Sequence, residues 1–164
     1  MMQEIIFEMM QINEGDSRRI EHALKVHAFT KSIAKGEGVE RNMLKVLELS
    51  AILHDIGIRV CEKKYNSTSG QLQQLEGPPI AKQILCKYGI KKNVIDDVIF
   101  LIANHHSYKN INRTDHQILI EADLIVNAIE HNITENALKK AVKILFKTET
   151  GVHIATSQFN PHAH

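Results

Sequence analysis

His54 and Asp55 stand side by side near the end of an apolar helical pattern, with His22, His105, His106 and Asp123 dispersed through the rest of the chain. Imidazole nitrogens and carboxylate oxygens are the donors that zinc, iron, manganese and similar divalent ions take. On facing helices such donors can converge on one interior point. Asp123 is the sharpest anomaly, because a carboxylate on an apolar helix face is rarely buried unless it is paired or binds metal. Each residue alone has a plainer explanation. Asp123 could be half of a buried ion pair, and His54-Asp55 or His105-His106 could be polar helix ends complementing the helix dipole. Their recurrence near the ends of four predicted helices favours a shared, metal-activated hydrolytic centre.

The elements that must position these side chains read as helices. Ile5, Ile6, Met9, Met10 and Ile12 predict a short amphipathic helix, closed by Asn13-Glu14-Gly15. Asp16 or Ser17 caps a longer helix to about Gly36 or Gly38, with His22, Val26, Phe29 and Ile33 on one face. Met43, Leu44, Leu47, Ala51 and Leu53 repeat the pattern over 40–56, extend the buried stripe to His54, and stop at Gly57. Residues 59–77 lose periodicity and read as a long polar loop of the functional or mobile kind, after which Pro78-Pro79 opens a helix to Tyr88-Gly89. Further helices are predicted over 92–106, with Val94, Val98, Leu101, Ile102 and His105 in line, and over 115–131, with Leu119, Asp123, Val126 and Ile129 inward. A last helix covers 136–146. Almost nothing alternates with period two, so the predicted fold is an all-α, single-domain helical bundle. Residues 1–15 form an N-terminal helical arm, 16–150 the domain itself, and 151–164 a C-terminal tail.

Composition removes other classes of function. A chain of 164 residues with formal charge +1 has no electrostatic signature of a nucleic-acid or membrane partner. It has no Trp and no base-stacking array of aromatics, and no run approaches the ~20 apolar residues of a membrane span. Cys61 and Cys86 lack CxxC spacing and read as free thiols, and no leader pattern opens the chain, so the expected compartment is the cytoplasm.

Taken in order, His22-Ala23-Leu24-Lys25-Val26, His54-Asp55-Ile56-Gly57 and Glu121-Ala122-Asp123-Leu124 resemble the HD-domain superfamily of metal-dependent phosphohydrolases. Its ordered motif, His…His-Asp…Asp, is matched at all four positions between about Arg18 and His131. The resemblance implies an HD domain over 16–150, with His22, His54, Asp55 and Asp123 ligating a first ion. In two-metal members the equivalent of Asp55 bridges to a second ion, which here implies a position near His105 and His106. Those proteins place a His before a Gly at a helix start; this chain has Glu76-Gly77-Pro78, so Glu76 is the expected replacement ligand. Ile56-Gly57-Ile58-Arg59 departs from the His-Asp-x-x-Glu-Asp signature of guanosine-tetraphosphate hydrolases. Ser107-Tyr108-Lys109 stands where cyclic-dinucleotide enzymes carry Gly-Tyr-Pro.

The expected reaction is hydrolysis of a phosphoester or phosphoanhydride in a nucleotide or small phosphorylated metabolite, with Mn, Fe, Mg, Zn, Ni or Co as the divalent ion. Asp55 would orient the water, and Arg19 or Arg59 would offset phosphoryl charge. Lys63, Lys64, Tyr65, Tyr108 and Lys109 are weaker candidates for the mouth. A di-iron oxygenase on the same scaffold and a non-catalytic metal-bound sensing module are the alternatives. His27, His116 and His131 read as structural or exposed, and His153, His162 and His164 as tail residues without partners.

Overall fold

The computed structural model describes residues 1–159, among which there are nine helices and no strand. They are α1 (Met2–Ile12), α2 (Ser17–Gly36), α3 (Arg41–Leu53), α4 (Ile58–Tyr65), α5 (Gly70–Lys87), α6 (Lys92–Asn104), α7 (Thr114–Glu130), α8 (Glu135–Leu145) and α9 (Glu149–Phe159). The all-α bundle expected from periodicity is therefore what forms.

Local chemistry sets several of the boundaries. Asp16 caps α2 by accepting the Arg19 N–H at 3.1 Å. Beyond its other end Gly38, at φ 67°, lets the Val39 N–H return to the Ala34 carbonyl at 3.0 Å. The same left-handed glycine device follows α5, where Gly89 at φ 64° returns Ile90 to Leu85.

α7 is the central element, with twelve of its 17 residues buried. α2 packs on α3 and α7, α3 on α6, and α5 on α6. Val26 and Ile33 of α2, Leu47 and Ala51 of α3, and Val98, Leu101 and Ile102 of α6 are fully enclosed between them. Each large aliphatic side chain buried this way contributes ~1.5–3 kcal/mol against exposure, which holds the helix ends in register where the polar residues meet.

Five expectations need correction. Residues 1–15 are not a separate arm: Ile5 and Met9 are buried, and α1 packs against α3 and α5. Residues from 151 do not begin a tail, since α9 buries Gly151 and Ala155 and packs on α2 and α7. His153 lies on its exposed side, and His162 and His164 lie outside the described residues. The stretch 59–77 is α4 followed by the start of α5. α4 has eight residues and buries only Ile58 and Cys61, too short a pattern for periodicity to register. α5 runs straight through Pro78 and Pro79. An interior proline costs a helix about 3 kcal/mol, but tertiary packing overrides that preference here. Gly77 lies so close to Gly57 that a Cβ on the latter would sit 2.6 Å from the Gly77 nitrogen. Ile129, expected to face inward, is 36% exposed.

Cys61 and Cys86 are both free thiols. No helix among the described residues is long and apolar enough to cross a membrane.

Candidate metal centre

Three helix ends and the middle of α7 deliver the polar cluster. His54 caps α3 and His105 caps α6, and the two are held alike. His54 Nδ1 donates to the Ala51 carbonyl at 2.8 Å, and His105 Nδ1 donates to the Ile102 carbonyl at 2.7 Å. A carbonyl only accepts, so each Nδ1 carries the hydrogen and each Nε2 presents its lone pair inward. His22, in the second turn of α2, is aimed by a different partner: its Nδ1 donates to Glu130 at 2.9 Å. This is how metal-binding imidazoles are oriented, by a hydrogen bond on the nitrogen that does not ligate.

The Nε2 atoms of His22 and His54 are 3.2 Å apart. Asp123 Oδ1 lies 3.2 Å from the first and 3.7 Å from the second, and Asp55 Oδ2 lies 3.6 and 3.5 Å from them. Donors ~2.0–2.1 Å from a common ion stand ~3 Å apart, so this set fits one divalent ion. Asp55 faces two ways. Its other oxygen, Oδ1, is 3.4 Å from His105 Nε2, a buried atom with no hydrogen-bond partner. Asp55, His105 and His106 form a second group of convergent donors beside His22, His54 and Asp123. The donor chemistry and the orphaned His105 nitrogen fit metal at both positions.

Electrostatics express the crowding. Burial opposes charge on His22, but Asp123, Asp55 and Glu130 together carry its imidazole up to about 9. Burial keeps the His54 imidazole below its ordinary range, and burial with the neighbouring His105 takes His106 down to about 4. Burial works to raise both Asp55 and Asp123, but the surrounding imidazoles outweigh it and hold both carboxyls well below the usual range. Without an ion, a proton on His22 sits among the carboxylates; a bound ion would displace it.

Glu76, expected as a ligand, is not with these residues. It accepts from Lys64 at 3.0 Å and Tyr65 at 2.7 Å and belongs to neither donor group. The reason is rotational: α5 starts at Gly70, so Glu76 is nearly two turns in and points toward α4 rather than opening a helix. Lys64 and Tyr65 are thereby drawn to Glu76. Arg59 is also misassigned, since its guanidinium donates to the Glu14 carbonyl in the α1–α2 connection. Arg19 does border the site, but it is tied to Glu62 and, at 3.2 Å, to Asp16. Tyr108 stands close enough that burial and the charges of Asp123 and Asp55 push its hydroxyl up.

A cavity of about 400 Å³ opens from His22 and Asp55, lined also by Arg18, Arg19, Asn127 and His131. Arg18 is exposed and makes no ion pair among the described residues. Four residues of the site escaped the sequence reading: Arg18, Gln73, Asn127 and Glu130. Two had a legible signal, because Asp123, Asn127 and Glu130 recur at i, i+4 and i+7 and make a polar stripe along α7. Asn127 donates to Asp123 Oδ1 at 2.9 Å. Of the histidines set aside, His27 pairs with Glu48 at 3.3 Å, and His116 is buried and donates to the Asn104 carbonyl at 2.8 Å.

Residues 19–147 match the HD-domain family model. Over 94% of this chain and 83% of the other, the fold superposes with a TM-score of 0.68 on a crystal structure described as a predicted HD superfamily hydrolase from an uncultured Thermotogales bacterium, at 22% identity. Comparison with curated proteins finds no match.

Proposed function

This chain belongs to the HD-domain family of metal-dependent hydrolases, and we propose that it hydrolyses a phosphoester or phosphoanhydride of a small phosphorylated metabolite or nucleotide, using two divalent ions. One observation carries the reading: Asp55 aims one oxygen at His22 and His54 and the other at His105, the disposition of a bridging carboxylate. The first position would be held by His22, His54, Asp55 and Asp123, the second by Asp55, His105 and His106.

Bound divalent metal supplies an acidified water and polarises a phosphoryl oxygen. The protein does the rest. Asp55 is 26% exposed and borders the cavity, so it holds the reacting water on the substrate side. Arg18 takes the role first expected of Arg19 and Arg59, because its guanidinium is the one at the cavity that has no carboxylate of its own. Glu130 and the Ala51 and Ile102 carbonyls keep the imidazoles aimed inward throughout.

A screen of phosphate esters and anhydrides with protein loaded with Mn, Mg, Co, Ni, Zn or Fe tests the proposal. Phosphate release that depends on metal and is lost in Asp55→Ala is expected. Oxygen consumption with an organic substrate by the iron-loaded protein, and no phosphate release under any metal, would replace it with the oxygenase reading.

A further inference from the structure

His54 and His105 have the hydrogen on Nδ1 fixed by backbone carbonyls; His106 is held the other way round. Its Nε2 lies 3.1 Å from the side-chain oxygen of Gln73. That amide cannot be turned over. Its nitrogen is 2.7 Å from the Thr68 carbonyl, which only accepts, so the NH2 group faces Thr68 and the oxygen faces His106. An amide oxygen also only accepts, so His106 Nε2 carries the hydrogen and Nδ1 keeps the lone pair. Gly70, one turn earlier on α5, completes the seat: a Cβ there would lie 2.8 Å from Cγ and Cδ2 of the His106 ring. Gln73 is itself buried, 7% exposed, and borders the cavity together with Asp55.

We infer that Gln73 is a positioning residue for the second metal position, making His106 an Nδ1 donor beside the Nε2 donor His105. The inference rests on the two-ion reading above. With one Asp55 oxygen, the position then offers two imidazoles and one carboxylate, a set suited to ferrous iron and related divalent ions. It also gives the start of α5 a purpose that its sequence, Gly70-Gln71-Leu72-Gln73, does not advertise.

Two measurements test it. In metal-free protein labelled with ¹⁵N-histidine, long-range ¹H–¹⁵N correlations read the tautomer of His106 directly. The expected result is an Nε2–H ring in the wild type and a tautomer mixture in Gln73→Leu. Manganese titration then reads occupancy: two ions in the wild type, a second-ion Kd weakened about tenfold or more in Gln73→Leu with the first unchanged, and recovery in Gln73→Glu, whose carboxylate still accepts from Nε2. An Nδ1–H ring in the wild type, a reading that needs no variant to fold, overturns the inference. So does an unchanged second-ion Kd in Gln73→Leu when the wild type binds two ions. A wild type that binds one ion under saturating manganese overturns the two-ion reading, and the positioning role falls with it even if the tautomer is as expected.

Discussion

α7 buries two carboxylates two residues apart, and they are treated in opposite ways. Glu121 is fully enclosed, and its oxygens are saturated by donors: the Gln117 amide at 2.7 Å, the Lys147 and Thr148 N–H groups at 2.6 and 3.1 Å, and the Thr148 hydroxyl. It joins the start of α9 to the core. The approach is tight enough that a Cβ on Gly151 would overlap Glu121 Oε2, at 2.0 Å. Asp123, 3% exposed, has a single amide donor, Asn127, and otherwise faces the Nε2 atoms of His22 and His54, the first of which reaches it only through an added proton. A buried carboxylate whose lone pairs are all filled by N–H and O–H groups is structural. One left facing imidazole nitrogens needs a cation there, a proton when no metal is bound and the metal ion when it is.

Substitutions can break that contrast. Asp123→Ala should abolish metal binding at the first position and lower phosphate release at least about a thousandfold, with an unchanged helical circular-dichroism spectrum. Retained metal at full stoichiometry would place Asp123 in the same class as Glu121. Glu121→Ala should do the reverse, leaving metal stoichiometry intact while stability falls by about 3 kcal/mol in denaturant titrations, because the N–H groups it served stay buried. Loss of metal with no loss of stability would dissolve the distinction.

Smaller effects sharpen it. Glu130→Ala frees the His22 ring and should weaken first-ion affinity about 10- to 100-fold, as measured by competitive chelation. The His22 imidazole, raised to about 9 without an ion, is protonated at neutral pH and must shed that proton to ligate. Ion binding at pH 7.5 should therefore release about one proton from this group, seen by calorimetry in buffers of different ionisation enthalpy. Apparent affinity should fall about tenfold per unit as pH drops below about 9, until other donors titrate. Zero proton release would show that His22 is neutral beforehand. The smallest effect belongs to Glu76→Gln, which should leave ion stoichiometry unchanged, because Glu76 pairs with Lys64 and Tyr65.

The sequence by itself determined the helical class and most of the helices, and it singled out His22, His54, Asp55 and Asp123, which the fold brings together. Those readings rest on local rules: apolar periodicity of 3.6, caps at Asp16 and at the glycines after α2 and α5, and the anomaly of a carboxylate in an apolar stripe. Asn127 and Glu130 were within reach of the same rule, at i+4 and i+7 from Asp123. Tertiary structure decided what local rules do not encode. Two prolines inside α5 read as a helix start, and that shift in origin rotated Glu76 into the site on paper and Gln73 out of it. In the fold α5 is continuous from Gly70 through both prolines, with Gly77 packed close against Gly57, and that origin reverses the two assignments. Arg18, Arg19 and Arg59 are indistinguishable as residue types. Only the fold shows that Glu62 and Asp16 engage Arg19, that the Glu14 carbonyl engages Arg59, and that Arg18 is left facing the cavity. α1 and α9 read as appendages because each buries only a few residues, and what those residues meet lies far away along the chain. Residue type and spacing fix which side chains can do the chemistry, but the partner that occupies or frees each one is a long-range contact.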